Sequence, residues 1–192
     1  MSAAQRPKRI IVGLSGASGA ILGIRALEML KAAGVETHLV ITPAAERTIL
    51  EETDWTVNAV KALADACYPA DDIGAAIASG SFSTDGMLVA PCSIKTLSAI
   101  ANAFNHNLLV RAADVCLKEG RPLLLAVREA PLHRGHTHLL DLAASSGAII
   151  FPPVPAFYAK PKTMTEMVDQ IVGRMLLRLG VENTGYVEWG SE

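Results

Sequence analysis

A short glycine- and serine-rich run, residues 13–19 (GLSGASG), carries residue types that bind phosphate. It directly follows the apolar run RIIV at residues 9–12, and the apolar residues after it recur at helical spacing. Where a buried strand turns into a helix, free backbone N–H groups and the positive end of the helix dipole face outward together. The Ser15 and Ser18 hydroxyls can donate further hydrogen bonds. The pattern therefore predicts an anion-binding loop suited to a phosphate.

The loop lacks the features of common dinucleotide and triphosphate sites. Ser15 stands where the Gly-x-Gly-x-x-Gly pattern has its middle glycine, and the second predicted strand ends in Thr42-Pro43 rather than in an acidic residue. The lysine of a Walker motif is also missing. A mononucleotide with a terminal phosphate, such as FMN, therefore fits better than NAD or ATP, and a plain tight turn is the alternative.

A second strand-to-helix turn, APCSIKTL at residues 90–97, repeats this arrangement. Ser93 and Thr96 can donate hydrogen bonds to a ligand there, although capping a helix is the commoner role of such a serine. Cys92 stands beside a helix start, a position that can lower the pKa of a thiol. Because no histidine is near it in the sequence, we interpret Cys92 as non-catalytic.

A charged pair, Arg128-Glu129, directly follows the apolar residues 122–127. The arginine offers a planar fork for a phosphate, and the glutamate can move a proton. A charged pair right after a buried strand is expected to act on a ligand or partner, and a surface ion pair is the alternative.

Three histidines, His133, His136 and His138, raise the question of a metal site. Their spacing matches neither one face of a helix nor the usual structural zinc pattern, and no cysteine pair stands nearby. We therefore expect no metal site. The sequence also lacks a Gly-x-Ser-x-Gly elbow, so a serine hydrolase is not expected.

Length and composition favour a globular protein of one domain, residues 1–192. The net charge of -2 argues against general nucleic-acid binding. Three scattered cysteines do not suggest a disulfide framework, and the first residues contain no apolar signal segment. No apolar run approaches the roughly 20 residues that span a bilayer. We therefore expect a cytoplasmic protein without membrane contact.

Predicted strands and helices alternate along the chain, and the strands are continuous apolar runs. This pattern predicts an α/β fold, a doubly wound parallel sheet in a Rossmann- or flavodoxin-like three-layer sandwich. Ligands in such folds bind beyond the carboxyl ends of the strands, where the turns described above fall. The predicted strands are residues 9–12, 35–41, 86–90, 122–127 and 148–151. The first predicted helix starts after residue 19, and a second helical segment, in two pieces, covers residues 44–66. The other predicted helices are residues 95–103, 108–119, 139–146 and 164–179.

Five motifs occur in order and together cover nearly the whole chain: GLSGASGA at residues 13–20, ASGS at 78–81, APCSIKTL at 90–97, VREAPLH at 127–133 and PPVPAFY at 152–158. As a set they resemble the UbiX/Pad family of flavin prenyltransferases. The stretches DIGAAIASGSF and PLHRGH are similar to one branch of that family, the second component of non-oxidative hydroxyarylic acid decarboxylases.

The resemblance implies a metal-independent transferase that joins a dimethylallyl group from dimethylallyl monophosphate to N5 and C6 of reduced FMN. It also implies that the prenylated FMN is handed to a UbiD-type decarboxylase. Assembly as a homo-dodecamer, with sites at subunit contacts, is a further implication. Residues 181–192 are expected to form a C-terminal tail that closes the site, and residues 1–7 an N-terminal tail.

Roles of individual residues follow from the resemblance, motif by motif. The catalytic residues that it implies are Ser18, Glu52 and Glu129. The flavin-binding residues that it implies are Gly16, Ala17, Ser18, Thr42, Ser93, Thr96 and Arg128. The residues implied to bind the prenyl phosphate or enclose the prenyl group are Lys118, Arg128, Tyr158, Arg174 and Trp189, with Arg111 at a subunit contact.

Two other functions stay open. An FMN-dependent peptidyl-cysteine decarboxylase shares the fold but needs a catalytic histidine and an asparagine-bearing motif, and Asn102 and His106 lack that pattern. A non-catalytic flavin carrier or assembly subunit of an aromatic acid decarboxylase needs no prenyl-phosphate site. The presence of Lys118, Glu129 and Tyr158 argues against such a carrier.

Overall fold

The computed structural model describes residues 6–190 and contains one parallel sheet of six strands. The strands are β1 (Arg9–Leu14), β2 (Glu36–Ile41), β3 (Ala66–Tyr68), β4 (Met87–Cys92), β5 (Leu123–Val127) and β6 (Ile149–Ile150). Their order across the sheet is β3-β2-β1-β4-β5-β6. The strand order reverses between β1 and β4, which is the place where doubly wound sheets bind ligands.

Seven α-helices and two short 3-10 helices connect the strands within the described residues. The α-helices are α1 (Ala20–Ala32), α2 (Pro43–Glu52), α3 (Val57–Lys61), α4 (Ile94–Ala101), α5 (Leu108–Lys118), α6 (Arg134–Ser145) and α7 (Met164–Arg178). The 3-10 helices are Ala76–Ala78 and Phe157–Ala159. None of the helices between residues 6 and 190 is long and apolar enough to cross a membrane.

Apolar side chains cover both faces of the sheet. Strands β1, β4 and β5 are buried along nearly their whole length, as expected for strands with a helix layer on each side. On one face, α1 and α7 pack against the central strands. On the other face, α4 and α5 pack against β4 and β5. Helices α5 and α7 therefore lie on opposite faces of the sheet.

Polar side chains fix where several helices begin. Thr42, Ser93 and Asn107 each accept a hydrogen bond from the backbone N–H three residues later, at the starts of α2, α4 and α5. Each such cap contributes about 1 kcal/mol to stability. Because Thr42 and Ser93 directly follow β2 and β4, these caps also hold the ends of the two strands.

The predicted parallel α/β fold is confirmed, and two segments differ from prediction. The helical segment predicted over 44–66 ends earlier, at Lys61, and Ala66 begins the edge strand β3, while the division into two pieces is confirmed by α2 and α3. Helix α6 begins at Arg134 rather than at residue 139. Its early start follows from His133, which accepts a hydrogen bond of 3.0 Å from the Gly135 N–H and caps the first turn.

Candidate functional site

The Ser15 side chain joins the carboxyl ends of β1 and β4. Its hydroxyl donates to the Pro91 carbonyl at 2.9 Å and accepts from the Ser93 N–H at 2.8 Å. Ser15 is buried, and its own N–H donates to the same carbonyl. Its hydroxyl is therefore engaged inside the protein, contrary to the prediction that it faces a ligand. It holds the two strand-end loops side by side.

A carboxylate from another element closes the start of α1. Glu52, the last residue of α2, accepts hydrogen bonds from the Gly19 N–H at 2.8 Å and the Ala20 N–H at 3.1 Å through one carboxylate oxygen. The glycine-rich loop was predicted to offer free N–H groups to a phosphate, and for these two the prediction is wrong. The physical reason is that a carboxylate, like a phosphate, is stabilised at the positive end of a helix dipole.

The same carboxylate gathers two other predicted site residues. Partial desolvation raises the pKa of Glu52, but hydrogen bonds from the two backbone N–H groups and from the Ser18 hydroxyl outweigh it. The positive charge of Arg128 acts in the same direction, so the pKa of Glu52 lies below its usual value. Ser18, Glu52 and Arg128, which come from three separate segments, thus lie together at the carboxyl edge of the sheet.

The rest of the glycine-rich loop packs against the start of α2. A Cβ atom on Gly16 would lie 2.3 Å from the Cβ of Ala44, so glycine alone fits there. The Ala17 N–H closes the turn with a backbone hydrogen bond of 2.8 Å, and Thr42 is buried as the cap of α2. The loop is therefore a tightly packed turn from which the Ser18 side chain is exposed.

Ser93 and Thr96 lie at the start of α4, on the same edge of the sheet. The Ser93 hydroxyl accepts from the Thr96 N–H at 3.3 Å and donates to the Thr96 hydroxyl at 3.1 Å. The capping role considered for Ser93 is therefore confirmed. Because a hydroxyl that accepts can also donate, Thr96 keeps its own proton for a further partner.

Arg128 and Glu129 directly follow β5. The Arg128 N–H donates to the Cys92 carbonyl at 3.0 Å, which ties this segment to the end of β4. Both side chains are exposed, and Glu129 accepts a hydrogen bond of 3.0 Å from the Ala130 N–H. A cation and a carboxylate are thus presented to solvent at the edge of the sheet that carries Ser18.

The Cys92 thiol lies inside the protein. Its side chain is completely buried, and burial raises the pKa of the thiol to about 12. The helix start does not lower this pKa as expected, because desolvation disfavours the thiolate more strongly. The interpretation of Cys92 as a non-catalytic residue agrees with this burial. Cys67 and Cys116 are also free cysteines.

Lys118 lies at the end of α5, away from the strand-end loops. It forms an ion pair with Glu119, and a Cβ atom on Gly80 would lie 2.7 Å from its Nζ. Arg121 donates to the Gly80 carbonyl at 2.6 Å and thereby fixes the ASGS segment against α5. These residues precede β4 and β5, so this group lies at the amino ends of the strands.

Tyr158 and Arg174 meet beside α7 through a third residue, Tyr186. The Tyr158 hydroxyl donates to the Tyr186 oxygen at 3.1 Å, and Arg174 Nη1 donates to the same oxygen at 3.0 Å. The buried Gln170 donates to the Tyr158 hydroxyl at 3.3 Å. The Trp189 ring packs edge-to-face on Tyr158, with ring centroids 5.3 Å apart. Sequence reasoning grouped Tyr158, Arg174 and Trp189 but missed Tyr186 and Gln170.

A cavity of about 520 Å³ opens beside this cluster, lined by Tyr158, Lys160 and Trp189 among others. Its volume is in the ordinary range of ligand pockets. A larger cavity of about 660 Å³ is lined by Ile41 and Tyr68 among others, at the ends of β2 and β3. Because the larger cavity contains none of the predicted site residues, the smaller one is the better candidate for a ligand.

The sheet separates Lys118 from Tyr158 and Arg174. Helix α5 packs in the core of one face and α7 in the core of the other. Since each helix is about 10 Å across and the sheet lies between the two layers, we infer that Lys118 does not reach the other two residues of its own chain. A single phosphate could touch all three only if a second chain supplied one side.

His136 and His138 lie in α6, and His133 is the cap that precedes it. The rings of His133 and His136 are 3.6 Å apart between centroids, whereas His138 follows His136 by two residues and does not share its helix face. Within residues 6–190, no group of three or more histidine, cysteine, aspartate or glutamate side chains is arranged to hold a metal ion.

Comparison with known proteins places this geometry in context. A model of the Flavoprotein family matches residues 1–176. A flavin prenyltransferase UbiX from Thauera aromatica is 53% identical over 185 residues, which cover 96% of this chain and 95% of that protein. The crystal structure of AnUbiX (PadA1) in complex with FMN and dimethylallyl pyrophosphate is 46% identical, with a TM-score of 0.95, and the match covers 97% of this chain and 100% of that chain.

A second solved structure bears on assembly. The dodecameric FMN-dependent Ubix-like decarboxylase from Escherichia coli O157:H7 is 43% identical, with a TM-score of 0.92. The match covers 95% of this chain and 100% of that chain.

Proposed function

Since this chain belongs to the Flavoprotein family, among the UbiX-type flavin prenyltransferases, we propose that the residue groups described above form the two sides of one prenyl-transfer site. The chain is a flavin prenyltransferase that uses reduced FMN and a dimethylallyl phosphate donor. The observation that carries the proposal is the meeting of Ser18, Glu52 and Arg128 at the carboxyl edge of the sheet.

The residues at this edge fit a flavin mononucleotide. Ser93 and Thr96 supply hydroxyl groups at the start of α4, and Arg128 supplies an exposed guanidinium. Hydroxyls and a guanidinium are the donors that a ribityl chain and a phosphate require. Reduced FMN supplies the nucleophilic nitrogen and carbon that become alkylated.

Three cations are proposed to stabilise the donor phosphate as it leaves. The bond between the prenyl carbon and the ester oxygen breaks, and its electron pair leaves with the phosphate. Positive groups placed where this negative charge develops lower the barrier. We assign Arg128, Arg174 and Lys118 to this role, with Tyr158 donating a hydrogen bond. Lys118 would come from a neighbouring chain, because it lies on the opposite face of the sheet.

Glu129 is assigned as the proton acceptor. Closing the second bond, from the prenyl group to C6 of the flavin, would use the prenyl double bond: one of its carbons takes a proton, and C6 releases its hydrogen as a proton that a base must accept. The Glu129 carboxylate is exposed at the correct edge of the sheet. Its N–H···O contact with Ala130 engages one carboxylate oxygen, Oε1. One Glu52 oxygen already accepts two backbone N–H groups, so Glu52 suits a positioning role for Ser18 and Arg128 better than proton transfer.

Aromatic side chains suit the prenyl group. Trp189 and Tyr158 line the cavity of about 520 Å³ and pack against each other at a right angle. An aromatic face stabilises a positive charge that develops on a neighbouring group. We therefore place the allyl carbons beside Trp189, in a tail that folds over the site.

Assembly into a homo-oligomer, a dodecamer by similarity, completes the proposed site. Val154, Phe157, Met164 and Trp189 are at least 70% exposed, and such apolar side chains favour burial at a contact between chains. The product would pass to a UbiD-type decarboxylase. Free cysteines fit the reducing conditions of the cytoplasm, which is the location that we propose.

A product assay tests the proposed activity. The purified protein is incubated with reduced FMN and dimethylallyl monophosphate without oxygen, and the flavin is analysed by mass spectrometry. We expect an adduct heavier by one C5H8 unit, and dimethylallyl diphosphate in a parallel reaction identifies the preferred donor. Absence of any adduct, while a UbiX relative forms it under the same conditions, would overturn the proposal.

Glu129→Gln separates an enzyme from a flavin carrier. Loss of the proton acceptor should lower the rate of adduct formation about 100-fold or more. The matched control is Glu51→Gln, an exposed carboxylate paired with Arg47 on the surface of α2, and it should keep the full rate. If Glu129→Gln still supports a partner decarboxylase as well as the unchanged protein does, the chain acts as a carrier.

A further inference from the structure

The Tyr186 hydroxyl occupies the point where two predicted phosphate-binding groups converge. Tyr158 donates a hydrogen bond to the Tyr186 oxygen at 3.1 Å, and Arg174 donates another at 3.0 Å. The Arg174 guanidinium also lies 5.8 Å from the centre of the Tyr186 ring. A hydroxyl oxygen that accepts from a guanidinium and from a phenol uses the same donors that a phosphate oxygen would use.

The backbone around Tyr186 is fixed without its hydroxyl. The Val187 N–H donates to Gln170 at 2.8 Å, and the Gln170 amide donates back to the Val187 carbonyl at 2.9 Å. Asn183 accepts from the Gly185 N–H at 3.0 Å and donates to the Gly173 carbonyl at 2.9 Å. The chain on either side of Tyr186 therefore stays anchored to α7 when the hydroxyl is removed.

The contact also affects Tyr158. The hydrogen bond between the two phenols raises the pKa of Tyr158, because Tyr158 donates it in its protonated form. The Tyr158 hydroxyl has one proton, and the Val187 carbonyl at 3.2 Å is a second acceptor for it beside Tyr186. A phosphate would thus compete with Tyr186 for Nη1 of Arg174, and with Tyr186 and the Val187 carbonyl for the Tyr158 proton.

We propose that Tyr186 is a specificity-determining residue of the donor site, whose hydroxyl holds Tyr158 and Arg174 until the phosphate of the prenyl donor replaces it. A dianionic phosphate accepts hydrogen bonds from both groups more strongly than a neutral phenol does. A molecule without a phosphate cannot displace the Tyr186 hydroxyl, so the hydrogen bonds from Tyr158 and Arg174 to Tyr186 remain. The inference rests on the proposed function, since it takes Tyr158 and Arg174 as the phosphate-binding pair.

Binding of dimethylallyl monophosphate to the full chain with oxidised FMN tests the inference without turnover. Calorimetry gives the affinity of the unchanged protein and of Tyr186→Phe, which keeps the ring and loses the competing oxygen. We expect Tyr186→Phe to bind the donor about fivefold more tightly, the gain from no longer breaking one hydrogen bond of ordinary strength. Tyr68→Phe, at the far edge of the sheet, is the matched control and should bind with unchanged affinity.

Tyr158→Phe separates the inference from the proposed function. If Tyr158→Phe weakens donor binding while Tyr186→Phe leaves it unchanged or weaker, the role of Tyr186 is wrong and the proposed donor site stands. If Tyr158→Phe and Arg174→Ala both bind the donor normally, the donor site itself is wrong, and the inference fails with it.

Fluorescence of Trp189 gives a second measurement on the unchanged cluster. With Trp55→Phe, Trp189 is the one tryptophan left in the sequence, and it packs on Tyr158. Inorganic phosphate should change its emission in a saturable manner as Tyr186 is displaced, and potassium chloride at equal ionic strength should not. A response to both salts alike, or to neither, would contradict the inference.

Discussion

At the scale of single residues, Glu52 binds the start of α1 in the way that a phosphate binds many helix N-termini. One carboxylate oxygen accepts two backbone N–H groups, and Arg128 adds a nearby positive charge. The glycine-rich loop therefore serves to bring α1, α2 and the β5 end together before any ligand arrives. In the proposed site, the exposed Arg128 and the Ser18 side chain, whose hydroxyl donates to Glu52, are the flavin-binding groups at this edge.

Glu52→Gln should destabilise the protein in a pH-dependent manner. Loss of the negative charge at the helix start should lower the free energy of unfolding by about 0.5 to 1 kcal/mol at pH 7. Because the pKa of Glu52 is lowered by folding, its contribution is present above its ordinary value of 4.5 and is lost as the pH falls through the lower folded value. Urea unfolding between pH 7 and pH 3 measures the difference.

Glu51→Gln is the control for this measurement. It removes the same charge from the neighbouring position, where the carboxylate pairs with Arg47 on an exposed helix face. Such a solvent-exposed pair contributes little to stability, because water and salt screen it. A pH-independent difference between Glu52→Gln and the unchanged protein would show that the charge at the start of α1 is not the cause.

At the scale of elements, the two strand-end loops depend on one buried hydroxyl. Ser15→Ala would leave the partly buried Ser93 N–H without its acceptor and would remove the buried hydrogen bond to the Pro91 carbonyl. We expect the free energy of unfolding to fall by about 2 kcal/mol, within the usual cost of leaving polar groups without their hydrogen-bond partners. FMN binding should weaken as well, because the loops after β1 and β4 lose their connection.

Two measurements check this prediction: urea unfolding and a fluorescence titration with FMN. Ser145→Ala, an exposed serine at the end of α6, is the matched control and should change stability by less than about 0.5 kcal/mol. If Ser15→Ala unfolds and binds FMN like this control, the loops do not depend on the Ser15 hydrogen bonds.

Element types were predictable from sequence where burial is complete. Strands β1, β4 and β5 are continuous apolar runs because a helix layer covers each side. Their hydrophobic pattern alone therefore predicts them as buried strands. Strand β3 has three residues at the sheet edge and is only partly buried, so its hydrophobic pattern is too short to recognise. The start of α6 depends on His133 as a cap, and a histidine does not predict that role because it is not one of the usual capping residues.

The candidate site was predictable in part for the same reason. Ser18, Ser93 and Arg128 follow recognisable strands, and the rule on carboxyl ends places them on one edge. The bond between Glu52 and α1 joins residues more than thirty positions apart, and nothing in either segment predicts it. Tyr186 lies outside every strand and helix, so only the folded tail brings it to Arg174.

At the scale of the whole molecule, the position of Lys118 predicts how chains must combine. It lies on the face of α5, whereas Tyr158 and Arg174 lie on the face of α7. In the proposed site, one chain therefore carries two incomplete halves. Closed assemblies of identical chains solve this by placing one half of each chain against the complementary half of a neighbour.

Complementation between two inactive variants tests this arrangement. Lys118→Ala and Arg174→Ala should each abolish prenyl transfer, since each removes one cation from every site. Co-expressed at equal levels and mixed at random within one assembly, they should recover about one quarter of the original activity, because each half is intact with a probability of one half. The control is co-expression of Lys118→Ala with the double variant Lys118→Ala/Arg174→Ala. Neither of these chains contains Lys118, so their assembly should stay inactive. If mixed assemblies form, as native mass spectrometry would show, and no activity returns, then Lys118 and Arg174 do not act on one phosphate from two chains.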